Sequence, residues 1–331
     1  MSELAAIVEA LSRARETPAV LATLISVEGS SYRRPGARLL LLPDGTHLGS
    51  ISGGCLEEDL KAHGRRVLAT GRAMVVEYDT TAENDLVWGV GLGCQGVVRV
   101  FLERIPALSP PWVGTLRSNR AERRATVLVV DHGGADPTGT QLATEGAAVP
   151  SECGRFVETI PAPPALVVFG AGDDARPLAV FAKALGWHLT VADARGAYAT
   201  PGRFPEADRL IVAPAAALAE GLVLDGRSYA VVMTHRYADD LALLRTLLPG
   251  DAAYLGLLGP RKRTARLLAQ LQAEGFVPDA AMLAKLHAPV GLDLGGDTPE
   301  TVALAIVSEV QARLAGKNPG FLRERPGPIH G

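Results

Sequence analysis

A chain of 331 residues, 47% hydrophobic and 21% charged, is long enough for two domains of ordinary size and apolar enough to bury a substantial core. Its formal charge of -3, with no Lys/Arg-rich stripe interleaved with aromatics, argues against a nucleic-acid partner. No apolar run reaches the ~18 residues that would span a bilayer, and the opening "MSELAAIVEALSRARE" has helical periodicity rather than the layout of a secretory leader, so a cytoplasmic protein without membrane contact is expected.

Residues 3 to 15 predict a helix with Leu4, Ile7, Val8 and Leu11 on one face. "PAVLATLISVEGS" and "ARLLLLPDGTHLGSIS" predict strands, the latter folded at Asp44-Gly45, a dipeptide suited to a tight hairpin turn. Apolar residues then recur at helical spacing from Leu56 to about Thr70, followed by the strands "AMVVEYD" and "GVVRVFLER". The Pro-rich "IPALSPPW" interrupts this pattern, and residues 106–162 are expected to form a β-rich connecting segment, with strands at "RATVLVVDHGG" and "GRFVETI". The boundary is placed at "PAPPA", giving a mixed α/β domain over 1–162.

Beyond the break, short apolar runs ("ALVVFG", "HLTVAD", "DRLIVA", "YAVVMTH", "AAYLGLLG") alternate with helical patterns. That grammar predicts a Rossmann-like, doubly wound parallel sheet over 163–316. Thr298 and Pro299 suit the cap and first position of a last helix, and 317–331 reads as a disordered Pro/Gly-rich tail.

Two stretches carry candidate chemistry. "VVFGAGDDARPLA" places Gly170 and Gly172 between a strand and a helix, where backbone N-H groups can approach a diphosphate, and Asp193 ends the next strand where an acid would accept ribose hydroxyls. His235, in "MTH", and Arg261 and Arg263, in "GPRKR", fall at strand ends on the edge where such sheets bind ligands. The same glycines also serve close strand-helix packing without a ligand, and Asp173 and Asp174 favour that alternative by repelling a diphosphate.

The second stretch is "GSISGGCLEED". Ser52, Gly53 and Gly54 can form a concavity of N-H groups, with Cys55 at or just inside a helix start whose dipole favours the thiolate. A small buried cysteine is the competing reading. Cys94 lies in another glycine-rich bend, "GVGLGCQGVVRVF", while Cys153 has no such setting. The odd count and wide spacing match neither a zinc site nor a disulfide framework. Upstream, "EGSSYRRPGARLLL" offers Arg34 and Arg38 as forks for phosphate or carboxylate.

These strings, with "HAPVGLDLGGDTPETVALAIVSE" and "YLGLLGPRKR", resemble the xanthine dehydrogenase accessory factor family, XdhC/CoxI, from about residue 15 to 315. The resemblance implies a chaperone rather than a turnover enzyme. Such a protein binds molybdenum cofactor (molybdopterin), supports its sulfuration together with a cysteine desulfurase, and delivers it to an apo molybdenum hydroxylase such as xanthine dehydrogenase. Carried over to this sequence, Cys55 in "GGCLE" and Cys94 in "GCQG" are the thiols for cofactor or sulfur contact. The competing function is an NAD(P)-dependent oxidoreductase, or another nucleotide binder, using Gly170, Gly172 and Asp193. A homodimer is the default assembly, symmetric dimers being the commonest soluble oligomers.

Overall fold

The computed structural model describes residues 3–13, 16–79, 96–143 and 154–326. The chain divides into two compact units, Met1–Ala162 and Pro163–Gly331.

The first unit is built on a five-stranded antiparallel sheet of order β3-β2-β1-β5-β4. Its strands are β1 (Ala19–Gly29), β2 (Arg38–Leu41), β3 (His47–Gly49), β4 (Met74–Asp79) and β5 (Gly96–Ile105). The sequence alternates faces only weakly here because both faces are covered. Val20, Ala22, Leu39, Val100 and Leu102 pack under α2 (Glu57–Thr70), while Leu21, Leu40 and Ile105 pack under α1 (Glu3–Ser12) and α3 (Pro111–Ala121). Gly64 lets α2 lie close, since a Cβ there would stand 2.5 Å from a Leu41 methyl. The β2-β3 hairpin turns at Asp44-Gly45, where Gly45 takes φ +86° and the Asp44 carboxylate accepts from Thr46 N-H at 2.9 Å.

Residues 106–162 are not simply β-rich. They open with α3 at the point where the double proline predicts a break, because Pro111 occupies the first helical position, where the missing N-H costs nothing. A three-stranded antiparallel sheet of order β7-β6-β8 follows: β6 (Thr126–Asp131), β7 (Gly139–Leu142) and β8 (Arg155–Ile160). Two carboxylate contacts join the sheets. Glu103 of β5 accepts from Thr140 N-H at 2.9 Å and from its hydroxyl, and Glu158 of β8 pairs with Arg38 of β2 at 2.7 Å.

The second unit is the doubly wound parallel sheet, of order β11-β10-β9-β12-β13-β14. In chain order it comprises β9 (Ala165–Phe169), α4 (Ala175–Ala184), β10 (His188–Asp193), β11 (Arg209–Val212), β12 (Ser228–Val232), α5 (Tyr237–Leu247), β13 (Tyr254–Leu257), α6 (Arg261–Ala273), α7 (Ala280–Ala284), β14 (Leu286–His287) and α8 (Pro299–Leu314). Alternate strand residues face opposite helix layers. Leu166, Val168, Tyr229 and Val231 meet α4 and α8 through Leu178, Ala182, Ile306 and Val310. Val167, Phe169, Ala230 and Val232 meet α5 and α6 through Leu243, Leu247, Leu267 and Leu271. "HAPVGLD" begins in the short edge strand β14, which pairs with β13. Thr298 caps α8 in a reciprocal capping box with Thr301. Beyond α8, Leu322–Glu324 form one turn of 3-10 helix within the tail.

Candidate functional site

Cys55 is exposed on the loop that joins β3 to α2. The helix proper begins at Glu57 with Leu56 as its cap, so Cys55 precedes the cap rather than sitting inside the first turn. The N-H concavity exists, but it is not open to an external anion. The Glu57 side chain folds back into it: one carboxylate oxygen accepts from Ser50 Oγ (2.9 Å), Ile51 N (3.1 Å) and Ser52 N (3.0 Å), the other from Ser52 Oγ (2.5 Å) and Gly54 N (2.8 Å). Burial alone would push this carboxyl up; the donors from Ser52, Ser50 and Ile51 outweigh it and hold the group down at about 2. Ser52 Oγ in turn accepts from Leu56 N at 2.8 Å, and Gly53 N donates to Ser50 Oγ at 2.9 Å.

The other first-turn acids are likewise engaged. Glu58 pairs with Lys61 at 2.7 Å, and Asp59 accepts from Tyr78 Oη at 2.7 Å with His63 Nε2 at 3.3 Å. Facing the loop is Tyr32, 62% exposed, whose ring edge lies against Gly53; a Cβ at Gly53, where φ is +78°, would stand 3.1 Å from that ring. Sequence reasoning passed over Tyr32. An aromatic beside a glycine-rich cysteine loop was the available signal.

The arginines of the adjoining turn divide. Arg33 forks onto Glu3 at 3.1 and 2.5 Å. Arg38 points inward with a side chain only 3% exposed, donating to Gly36 O at 2.9 Å and to Glu158 at 2.7 Å. It is a sheet-to-sheet tie, which corrects the expectation of a ligand-facing fork. Arg34 is exposed, and its carbonyl accepts from Ala37 N at 3.1 Å. Cys94 and Cys153 lie outside the described residues. Gly96, two positions after Cys94, opens β5 opposite Gly29 and has no room for a Cβ, since Ser30 O would stand 2.5 Å away.

In the second unit the sheet order reverses between β9 and β12, so residues after those strands flank the switch-point crevice. Gly170 is required by close backbone approach: φ is +113°, and a Cβ would stand 2.4 Å from Met233 O. Gly172 faces open space. Asp193, expected to meet a ribose, instead closes the loop. Its carboxylate accepts from Ala171 N at 2.7 Å, from Arg195 N at 2.7 Å and from the Arg195 guanidinium at 2.9 and 2.8 Å. Burial would raise its proton affinity, but those donors hold the group below the usual carboxylate range.

Asp173 pairs with Arg203 at 2.9 Å, and Asp174 with His235 Nε2 at 3.0 Å. His235 itself takes the left-handed φ of +60°, a conformation that costs a non-glycine residue energy. Arg263 forks onto the buried Asp240 at 3.1 and 2.5 Å and ties α6 to α5, another correction, while Arg261 is exposed at the first position of α6.

A further carboxylate cluster was not read from sequence. Glu309 of α8 accepts from Tyr254 Oη (2.7 Å) and Gly291 N (2.7 Å) and meets His287 Nδ1 at 2.8 Å, with the imidazole stacked 4.4 Å from the Tyr254 ring. Burial opposes the charge, yet His287, Tyr254 and Gly291 hold the carboxyl down at about 2.

Residues 12–79 match the XdhC and CoxI family, and residues 166–310 match the XdhC Rossmann domain. A probable xanthine dehydrogenase subunit from Bacillus subtilis (strain 168) is 34% identical over 315 residues, covering 88% of this chain and 92% of that protein. The chain belongs to the XdhC and CoxI family. The family fold agrees: the crystal structure of a xanthine dehydrogenase from Bacillus halodurans superposes with a TM-score of 0.80 at 30% identity, covering 98% of both chains. The "Molybdenum cofactor insertion chaperone PaoD" of Escherichia coli (strain K12) is 24% identical over 295 residues, 88% of this chain and 82% of that protein. The family match over 12–79 contains the Cys55 loop, and the Rossmann match contains both the switch-point crevice and Glu309.

Proposed function

We propose that this protein is a maturation factor for a molybdenum hydroxylase of the xanthine dehydrogenase type, holding molybdenum cofactor as cargo and passing it to the apo-enzyme. The observation that carries the proposal is Cys55, exposed on a loop whose backbone is fastened by a neighbouring carboxylate, in a family with a named cofactor insertion chaperone. The donor set suits the cargo. A thiolate is a soft ligand for a molybdenum centre, and the exposed ring of Tyr32, against Gly53 of the same loop, offers a flat apolar surface. Cys94, joined through Gln95 to Gly96 beside Ser30, is proposed as the second thiol.

In this reading Cys55 holds the cofactor while a cysteine desulfurase acts on it, until the apo-hydroxylase takes the cofactor over. The protein positions and shields its cargo; turnover chemistry belongs to its partners. The test is co-expression with an apo-hydroxylase of the xanthine dehydrogenase type, scoring molybdenum content and sulfido occupancy of the purified hydroxylase. Wild-type protein should raise both, and Cys55→Ala should lower them at least tenfold. Equal loading with either protein would overturn the reading.

The oxidoreductase alternative gains nothing from the crevice. A dinucleotide in this fold uses an open glycine-rich turn and a strand-end acid free for ribose hydroxyls. Here Ala171 N-H and Asp193 satisfy each other.

A further inference from the structure

We infer that Glu57 is the positioning residue of the Cys55 site: its carboxylate is the internal anchor that fixes the 50–56 loop and aims the thiol outward. The inference rests on the reading of Cys55 as the cargo-binding thiol. Five donors from Ser50, Ile51, Ser52 and Gly54 converge on the two oxygens of this one side chain. Cys55 lies between the last of those donors and Glu57 itself, so its backbone is held on both sides. Leu56 N, bonded to Ser52 Oγ at 2.8 Å, closes the loop on the helix side.

The loop needs such an anchor because its backbone is otherwise costly. Gly53 and Gly54 take φ of +78° and +122°, and two adjacent glycines lose more conformational freedom on ordering than any other pair. An N-H concavity of this kind ordinarily receives an external anion. A tethered carboxylate filling it leaves the thiol as the group offered to a ligand. Glu57 therefore acts through Cys55 and not as a phosphate receptor.

Glu57→Gln is nearly isosteric but sets an NH2 group against N-H and O-H donors on one side of the knot. Glu57→Asp keeps the charge and is one methylene short. Ser52→Ala removes the 2.5 Å donor and the Leu56 contact while leaving Glu57 in place, so it covers the case in which the Glu57 variants fail to fold. Two readouts are taken on the full chain: hydrogen exchange at the Ile51, Ser52 and Gly54 amides between pH 4 and 8, and anaerobic capture of molybdopterin by protein with its Cys55 thiol intact.

In the wild type the amides should stay protected across that whole range. In Glu57→Gln their protection should fall at least tenfold and capture at least tenfold, with exchange elsewhere in α2 unchanged; Ser52→Ala should fall between the two. A loop lost only as part of global unfolding would not spare α2. Undiminished capture by Glu57→Gln would overturn the proposal. Tighter capture would overturn it too, and would make Glu57 an occupant that the ligand displaces. Failure of the wild type to capture any molybdopterin would instead remove the reading of Cys55 on which the proposal rests.

Discussion

Glu57 and Glu309 show how a largely buried carboxylate stays charged: in each, hydrogen-bond donors converge on oxygens that burial would otherwise neutralise. Both are held at about 2, below the ordinary 4.5, so each contributes stability in full above pH ~5.5, and that contribution is lost as pH falls from 4.5 through about 2. Glu309→Gln should lower stability at pH 7 by about 1–3 kcal/mol, since the neutral amide weakens the bonds from Tyr254 and Gly291, which share one oxygen, and replaces the oxygen that meets His287 with an NH2 group. It should also flatten the acid limb of the urea midpoint against pH. An acid limb parallel to that of the wild type would contradict the assignment.

The residue scale is also where sequence was least informative. It singled out Arg38, Asp193 and Arg263 as charged groups at plausible edges, but a side chain's partner is not written beside it. The carboxylate that claims Arg38 is 120 positions away, and the one that claims Arg263 is 23 positions away. The glycine-rich loop around Cys55 is legible because its setting is local, two positive-φ glycines preceding the thiol, but the Glu57 carboxylate that fills its N-H concavity is not.

At the scale of elements, periodicity carried most of the fold. The unbroken apolar run from Leu166 to Phe169 is the pattern of a strand buried on both faces, and runs of that kind alternating with helical patterns correctly signalled a parallel sheet between two helix layers. What escaped were short or punctuated pieces: α3 behind its two prolines, and the strands β7 and β14, of four and two residues. The strand-helix turn at Gly170 was legible as a glycine site, but the close approach of Met233 O that requires the glycine is not written in the sequence. Gly170→Ala should therefore destabilise by more than ~3 kcal/mol, combining an unfavourable φ with a backbone clash. Chemical unfolding checks this, and a variant within about 1 kcal/mol of wild type would contradict the geometry. At the other end of that unit, Thr298→Ala should cost about 1 kcal/mol through loss of the α8 cap.

For the whole molecule, the family and the succession of a mixed α/β unit and a Rossmann-like unit were readable from motif strings spread along the chain. No helix among the described residues is long and apolar enough to cross a membrane. The nucleotide question was open in sequence, because a Gly-Ala-Gly turn and a strand-end acid look alike whether they meet a ligand or each other. Their mutual hydrogen bond predicts that calorimetric titration with NAD or NADP gives no saturable heat at millimolar ligand. A dissociation constant in the micromolar range would contradict that expectation.

The role proposed for Cys55 is to hold a molybdenum cofactor. Its most direct test is anaerobic native mass spectrometry of the protein from a host that makes the cofactor, with Cys55→Ala alongside, scoring bound molybdopterin, nicotinamide and persulfide together. A molybdopterin adduct is expected on the wild type and not on Cys55→Ala; a nicotinamide adduct alone, unchanged by the substitution, would contradict that role.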